Sequence, residues 1–220
     1  RASEKNGKLR GRGYCFFIEQ GGIFNDRMEL RFDPGGTVTI VAGTHSHGQG
    51  HETSFAQLVT EWLGVPFESI DYVAHDTARV AAGGGSHSGR SMRHASLVIG
   101  KATDDIIEKG KKIAGHVLEA APADIEFANG QFTIRGTDRR LGIFDAAKAA
   151  ATRNDLPEEL RGKLDASSEQ TTTLGAWPSG THICEVEIDP DTGVVEIARW
   201  SGADDVGRAI NPLILHGQTH

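Results

Sequence analysis

The sequence predicts an α+β fold, a two-layer arrangement in which helices pack on a mixed sheet. Three observations lead there. Short alternating or β-branched runs occur in pairs across turn dipeptides, which is hairpin chemistry. Two stretches carry apolar residues at helical spacing. Hairpins and helices are interspersed, whereas an all-parallel sheet needs strand and helix in strict alternation. The chain has no internal repeat and no low-complexity tract.

The elements follow in order. Residues 1–12 are basic and polar and read as a flexible approach segment; Tyr14–Ile18 reads as a strand. Met28–Phe32 and Thr37–Ala42 form a hairpin across Asp33-Pro34-Gly35-Gly36, and the second arm is rich in β-branched residues. Phe55, Leu58, Val59, Trp62 and Leu63 make one buried helical stripe, which Gly64 and Pro66 end. A short strand near Ser69–Ala74 precedes a long helix from Ser91 to Ala121, with Pro122 just beyond it and Gly100 and Gly110 as points of bending. Ile125–Phe127 and Gln131–Ile134 pair across Asn129-Gly130. A short helix follows at 142–152, then a long irregular connection at 153–180 that is polar and holds two prolines. The last hairpin turns at Asp189–Gly193, with Cys184, Val186 and Ile188 alternating against Glu185 and Glu187.

Composition narrows the function classes. A formal net charge of −7 leaves no basic footprint for nucleic acid. No apolar run is long enough to span a bilayer, and no secretory leader pattern is present. Cys15 and Cys184 sit in apolar, strand-like runs and read as buried free thiols of a reducing cytoplasm. The chain begins at Arg1 and stops at His220, and it reads as one partial domain, 1–220, of a larger polypeptide.

The chemistry concentrates in two glycine-rich segments, each running into a helical pattern. Gly43-Thr44-His45-Ser46-His47-Gly48-Gln49-Gly50-His51-Glu52 follows a strand, and its glycines let backbone N–H groups approach a ligand while a helix N-terminus favours negative charge. The glutamine offers an acceptor and two donors to a planar polar group. The other reading is a strand-to-helix turn that merely requires glycine. His45, His47 and His51 do not share a helical face and have no cysteine near, so no metal site is assigned. The second segment, Gly83-Gly84-Gly85-Ser86-His87-Ser88-Gly89-Arg90-Ser91, comes within one residue of a P-loop, with arginine in place of the lysine that reaches terminal phosphates. It reads as an anion cradle with one cation, or as a flexible loop with ordinary helix caps. A third segment, Asp204-Asp205-Val206-Gly207-Arg208-Ala209-Ile210-Asn211-Pro212, offers paired carboxylates and turn chemistry.

Taken in order, Gly43-Thr44-x-x-x-Gly48-Gln49-Gly50-His51-Glu52-Thr53, Gly85-Ser86-x-x-x-Arg90-Ser91, and Asp204-Asp205-Val206-Gly207-Arg208-x-Ile210-Asn211-Pro212 with Gly217-Gln218 resemble the molybdenum hydroxylases, the xanthine dehydrogenase and aldehyde oxidase family. Gln49 to Gln57 is most similar to the aerobic carbon monoxide dehydrogenase large-subunit type. The resemblance implies an oxidoreductase large subunit that binds molybdopterin cytosine dinucleotide with molybdenum. Gly48, Gln49, Gly50 and His51 would lie near the molybdenum and pterin; Gly85, Ser86, His87, Ser88, Gly89, Arg90 and Ser91 would cradle the pyrophosphate and nucleotide; Asp205, Asn211 and Gln218 would complete the pocket. The chain departs from the family's usual pattern at Ser88-Gly89 and at His87. The family's glutamate base is expected after His220 and its cysteine loop before Arg1, so no catalytic residue is assigned here, copper has no support from these residues, and the chain alone is expected to be inactive. The implied reaction is hydroxylation with water as oxygen source, or carbon monoxide oxidation. Electrons would pass to an iron–sulfur small subunit and an FAD medium subunit, in a cytoplasmic oligomer that also contains the rest of the large subunit. The alternatives are a phosphate- or nucleotide-binding module without redox activity, and an assembly segment.

Overall fold

A computed structural model describes residue 4 and residues 6–220. Residues 1–3 and 5, part of the expected approach segment, lie outside the described residues. The fold is mixed α/β. Where the sequence alone suggests one partial domain, the contacts divide the chain into two compact units: Arg1–Gly22 with Leu174–Ala209, and Ile23–Thr173 with Ile210–His220.

The first unit is a three-stranded antiparallel sheet in the order β1 (Leu9–Ile18), β9 (Ser179–Ile188), β10 (Val195–Asp205). β1 starts at Leu9, so residues 9–12 are strand and not approach segment. Their partners explain it: Arg10 and Arg12 lie opposite Glu187 and Glu185, and both pair with the Glu185 carboxylate. Charged strand residues of this kind carry no apolar signature. Cys15 is exposed and Cys184 half-buried; both are free thiols, but neither is the core residue their apolar context implied.

The second unit carries a four-stranded sheet in the order β4 (Ile70–Val73), β3 (Thr37–Ala42), β2 (Asn25–Asp33), β8 (Ala166–Thr171). β3 and β4 are parallel; the other pairs are antiparallel. The expected irregular connection thus contains β8 and, further on, the start of β9. Ala166-Ser167-Ser168-Glu169-Gln170-Thr171 has almost no apolar alternation, and its strand state comes from pairing with Asn25–Leu30.

Helix α1 (His51–Leu63) connects β3 to β4 and buries Phe55, Leu58, Val59 and Leu63, as the stripe predicts; Gly64 ends it in the left-handed conformation. Helix α2 (Ser91–Leu118) runs unbroken and stops where Glu119 turns left-handed. Gly110 sits against the Phe132 ring, where a Cβ would meet ring carbons, so this glycine serves packing. Beyond α2, β5 (Ile125–Ala128), β6 (Gln131–Ile134) and β7 (Arg140–Gly142) form a small sheet, with Asn129 and Gly130 both at positive φ in the first turn. Helices α3 (Ile143–Thr152) and α4 (Pro212–Thr219) complete the unit. Its core joins Met28, Leu30 and Phe32 of β2 to Phe55 and Leu63 of α1 and Val98, Ile99 and Ile106 of α2.

Candidate cofactor site

The first glycine turn leaves β3 at Gly43 and enters α1 through Gly50, whose φ of 73° is left-handed. The second ends at Arg90, the first residue before α2. Neither helix has a side-chain cap. Among the described residues the N–H groups of His51, Glu52, Ser91 and Met92 meet no acceptor, and they sit at the positive ends of the helix dipoles.

The two turns lie against one another inside the second unit. Gly43 and Gly83 meet backbone to backbone: a Cβ on Gly43 would come within 2.8 Å of the Ala82 carbonyl oxygen and 2.9 Å of Gly83 N. Ser86 Oγ donates to the His45 carbonyl, joining the turns again. Tyr72 of β4 donates its hydroxyl to the Thr44 carbonyl, and burial pushes that phenol pKa up.

Beneath both turns lies a buried polar knot. Asp26 and Arg90 are each 0% exposed, and Asp26 Oδ2 stands 3.2 Å from Arg90 Nη2. The same carboxylate accepts from Thr44 Oγ1 at 2.7 Å, from Gly84 N at 3.3 Å and from Arg27 N at 2.9 Å. Arg90 also donates to the carbonyls of Gly85 (2.7 Å) and Asn25 (2.8 Å), and its Nη2 reaches His94 Nδ1 at 3.3 Å. A Cβ on Gly84 would run into the guanidinium. Arg90 Nε is buried with no acceptor among the described residues. Of the expected cradle residues 85–91, Arg90 is therefore the one turned inward.

Residues 85–89 form the outward part of the cradle. Gly85, Ser88 and Gly89 have positive φ, so the chain turns sharply here. Among the described residues, no acceptor meets the N–H groups of 85–89. A Cβ at Gly85, Gly89 or Gly48 would meet nothing within 4 Å. His87 is exposed and leans on Phe24, with ring centroids 5.1 Å apart. Ser88 Oγ lies 2.9 Å from His87 Nδ1.

His51 opens α1, nearly buried and stacked on Phe55 with centroids 4.9 Å apart. Its Nδ1 has no partner. Burial lowers its pKa, which favours the neutral ring. The Gln49 side chain accepts from His47 N, folding back onto its own turn. His45 packs between His47 and His75, yet among the described residues no group of three His, Cys, Asp or Glu side chains could hold a metal ion. The hollow beside this turn, about 640 Å³, is bordered by Ser46, Gly48, Glu52, Asp71, Tyr72 and His75.

The third segment is divided. Asn211 caps α4 by accepting from Ile214 N at 3.0 Å and donates to Gln57 of α1 at 2.9 Å. Ile214 in turn lies against Gly50, where a Cβ would be 2.9 Å from Ile214 Cδ1. The motif's asparagine is thus joined to the first glycine turn. Gln218 is exposed on α4. Asp205 ends β10 in the first unit, exposed, and accepts from Gly207 N at 3.0 Å.

Sequence reasoning missed Asp26. A signal existed: Asp26, Met28, Leu30 and Phe32 form the inward face of β2, and extending the alternation back from Met28 puts a carboxylate inside, where it needs a partner.

A family model for the molybdopterin cofactor-binding domain matches residues 1–220. The chain belongs to that family. Among curated proteins, it is 36% identical over 217 residues to 6-hydroxypseudooxynicotine dehydrogenase complex subunit gamma of Paenarthrobacter nicotinovorans, covering 96% of the chain and 26% of the relative. It is 34% identical over 195 residues to the carbon monoxide dehydrogenase large chain of Afipia carboxidovorans, covering 89% of the chain and 24% of the relative. Among solved structures, Cu,Mo-CO dehydrogenase aligns over 99% of the chain and 29% of its own, with a TM-score of 0.85 and 31% identity. Quinoline 2-oxidoreductase from Pseudomonas putida 86 gives 0.85 at 29% identity, again over 99% of the chain and 29% of its own. The chain spans about a quarter of the length of the curated relatives it matches. No helix among the described residues is long and apolar enough to cross a membrane.

Proposed function

We propose that this chain is the part of a molybdenum hydroxylase large subunit that holds molybdopterin, in its cytosine dinucleotide form. One observation carries the reading: two glycine turns, each opening an uncapped helix, are fastened side by side with the N–H groups of 85–89 unpaired and open space at Gly48, Gly85 and Gly89. An anionic guest with several polar edges fits such a cradle. Gly85 to Gly89 and the start of α2 would take the pyrophosphate; Gly48, Gln49 and Gly50 would face the pterin, with His51 behind them at the start of α1. Gln218 would add a polar contact. When bound, the molybdenum cofactor supplies the two-electron redox chemistry, and this chain's residues bind and orient it. Carbon monoxide and N-heterocyclic compounds are the substrate classes that the relatives' names point to. An iron–sulfur subunit, a flavin subunit and the remainder of the large subunit would complete a cytoplasmic enzyme. No catalytic residue or metal ligand is assigned within the chain, which alone would not turn over.

The test is metal and nucleotide analysis of the active full-length polypeptide. Near-stoichiometric molybdenum with releasable cytidine monophosphate is the expected result. Active enzyme without molybdenum or pterin would overturn the reading, and tight binding of an ordinary nucleotide without metal would favour a phosphate-binding module instead.

A further inference from the structure

The fully buried Asp26 lies outside every motif of the sequence, yet it contacts both glycine turns. Its Oδ2 takes Thr44 of the first turn and the guanidinium that opens α2; its Oδ1 takes Gly84 N of the second turn. Arg90, in turn, holds the Gly85 carbonyl, just where the outward N–H groups begin. We infer that Asp26 is the positioning residue of the cradle: one carboxylate sets the two turns against each other before any guest arrives and engages the charge of Arg90 internally. Anion recognition at 85–89 then runs through neutral backbone N–H groups, without a cationic side chain.

The chemistry supports both halves. A carboxylate has about four acceptor sites, and here four donors reach it: Thr44, Gly84, Arg27 N and Arg90. A guanidinium with no exposed surface cannot also face a phosphate. Arginine suits the task because its planar fork reaches Asp26, Asn25 and Gly85 together; a lysine has one nitrogen to offer. This inference rests on the proposed function only for the identity of the guest.

The experiment uses the full-length polypeptide and the variants Asp26→Asn, Arg90→Gln, Arg90→Lys, Thr44→Val and the double variant Asp26→Asn/Arg90→Gln. Hydrogen exchange of 43–50 and 83–91, measured without cofactor, reads the positioning. Asp26→Asn should speed exchange in both turns by about tenfold, and Thr44→Val only in the first. The double variant removes both buried charges, so it should regain thermal stability over either single change while both turns stay fast. Arg90→Lys should not rescue. Pterin retention should change by less than about twofold between ~0.05 and ~0.5 M salt, because residues 85–89 carry no lysine or arginine and Arg90 is buried. Asp26→Asn leaving either turn at the wild-type rate, or the double variant restoring slow exchange, would overturn the positioning role. Retention that falls steeply with salt would overturn the neutral-recognition half. A wild-type protein carrying no pterin would count against the proposed function alone, since the exchange measurements need no guest.

Discussion

Replacing Gly43 by alanine tests how tightly the two turns are fastened. Gly43 is not in the left-handed region, so alanine imposes no backbone strain of its own and the added methyl is a steric probe. That methyl would face backbone, with the Ala82 carbonyl at 2.8 Å and Gly83 N at 2.9 Å. Gly83 Cα would lie closer still, and ordinary heavy-atom contact needs about 3.5–4.0 Å, so the turns must part by more than roughly 1 Å. No flexible side chain is available to yield. Overpacking of this kind costs about 1–3 kcal/mol. For a cooperative unit of about 150–250 residues, that corresponds to a fall in melting temperature of about 2–12 °C. Calorimetry gives the shift, and hydrogen exchange locates it in residues 43–50 and 83–91. Gly83→Ala strikes the same contact from the other side, so the double variant should lose less than the sum of the two. A Gly43→Ala protein that melts within 1 °C of wild type (~0.3 kcal/mol), with unchanged exchange in both turns, would refute the contact.

Two further outcomes follow from the geometry. Asn211→Ala removes the cap of α4 and the donor to Gln57; exchange across Pro212–Thr219 should quicken by an amount matching about 0.5–2 kcal/mol, whereas Asn211→Asp should keep the cap and lose only the Gln57 contact. The pH dependence carries the sign set by His51, whose folded pKa burial lowers: the unfolded chain binds the proton more readily, so stability is present above the ordinary imidazole value of about 6.5 and is lost as pH falls toward the folded pKa. Urea midpoints at pH 7.5 and 5 should show that loss, and His51→Gln should reduce it without abolishing it, because burial shifts His45 the same way. An identical loss in His51→Gln would sink the assignment.

What was legible in the sequence was what local chemistry decides. Helix α1 announced itself through one apolar stripe and a glycine stop, and the 125–134 hairpin through Asn129-Gly130. β8 and the first half of β1 were not legible, because their polar residues become strands only through distant partners, Asn25–Leu30 for one and Glu185–Ile188 for the other. The site divides the same way. Both glycine turns could be read from residue type. Their fastening could not, since Asp26 and Arg90 are far apart in the chain and a lone arginine before a helix reads as an outward cation until its partner is known.

The account turns on the two glycine turns serving one guest. Hydrogen exchange on the full-length polypeptide, with cofactor bound and after its removal, tests this directly. The account predicts that cofactor protects 48–51 and 85–91 together. Protection of one turn alone, or of neither, would contradict it.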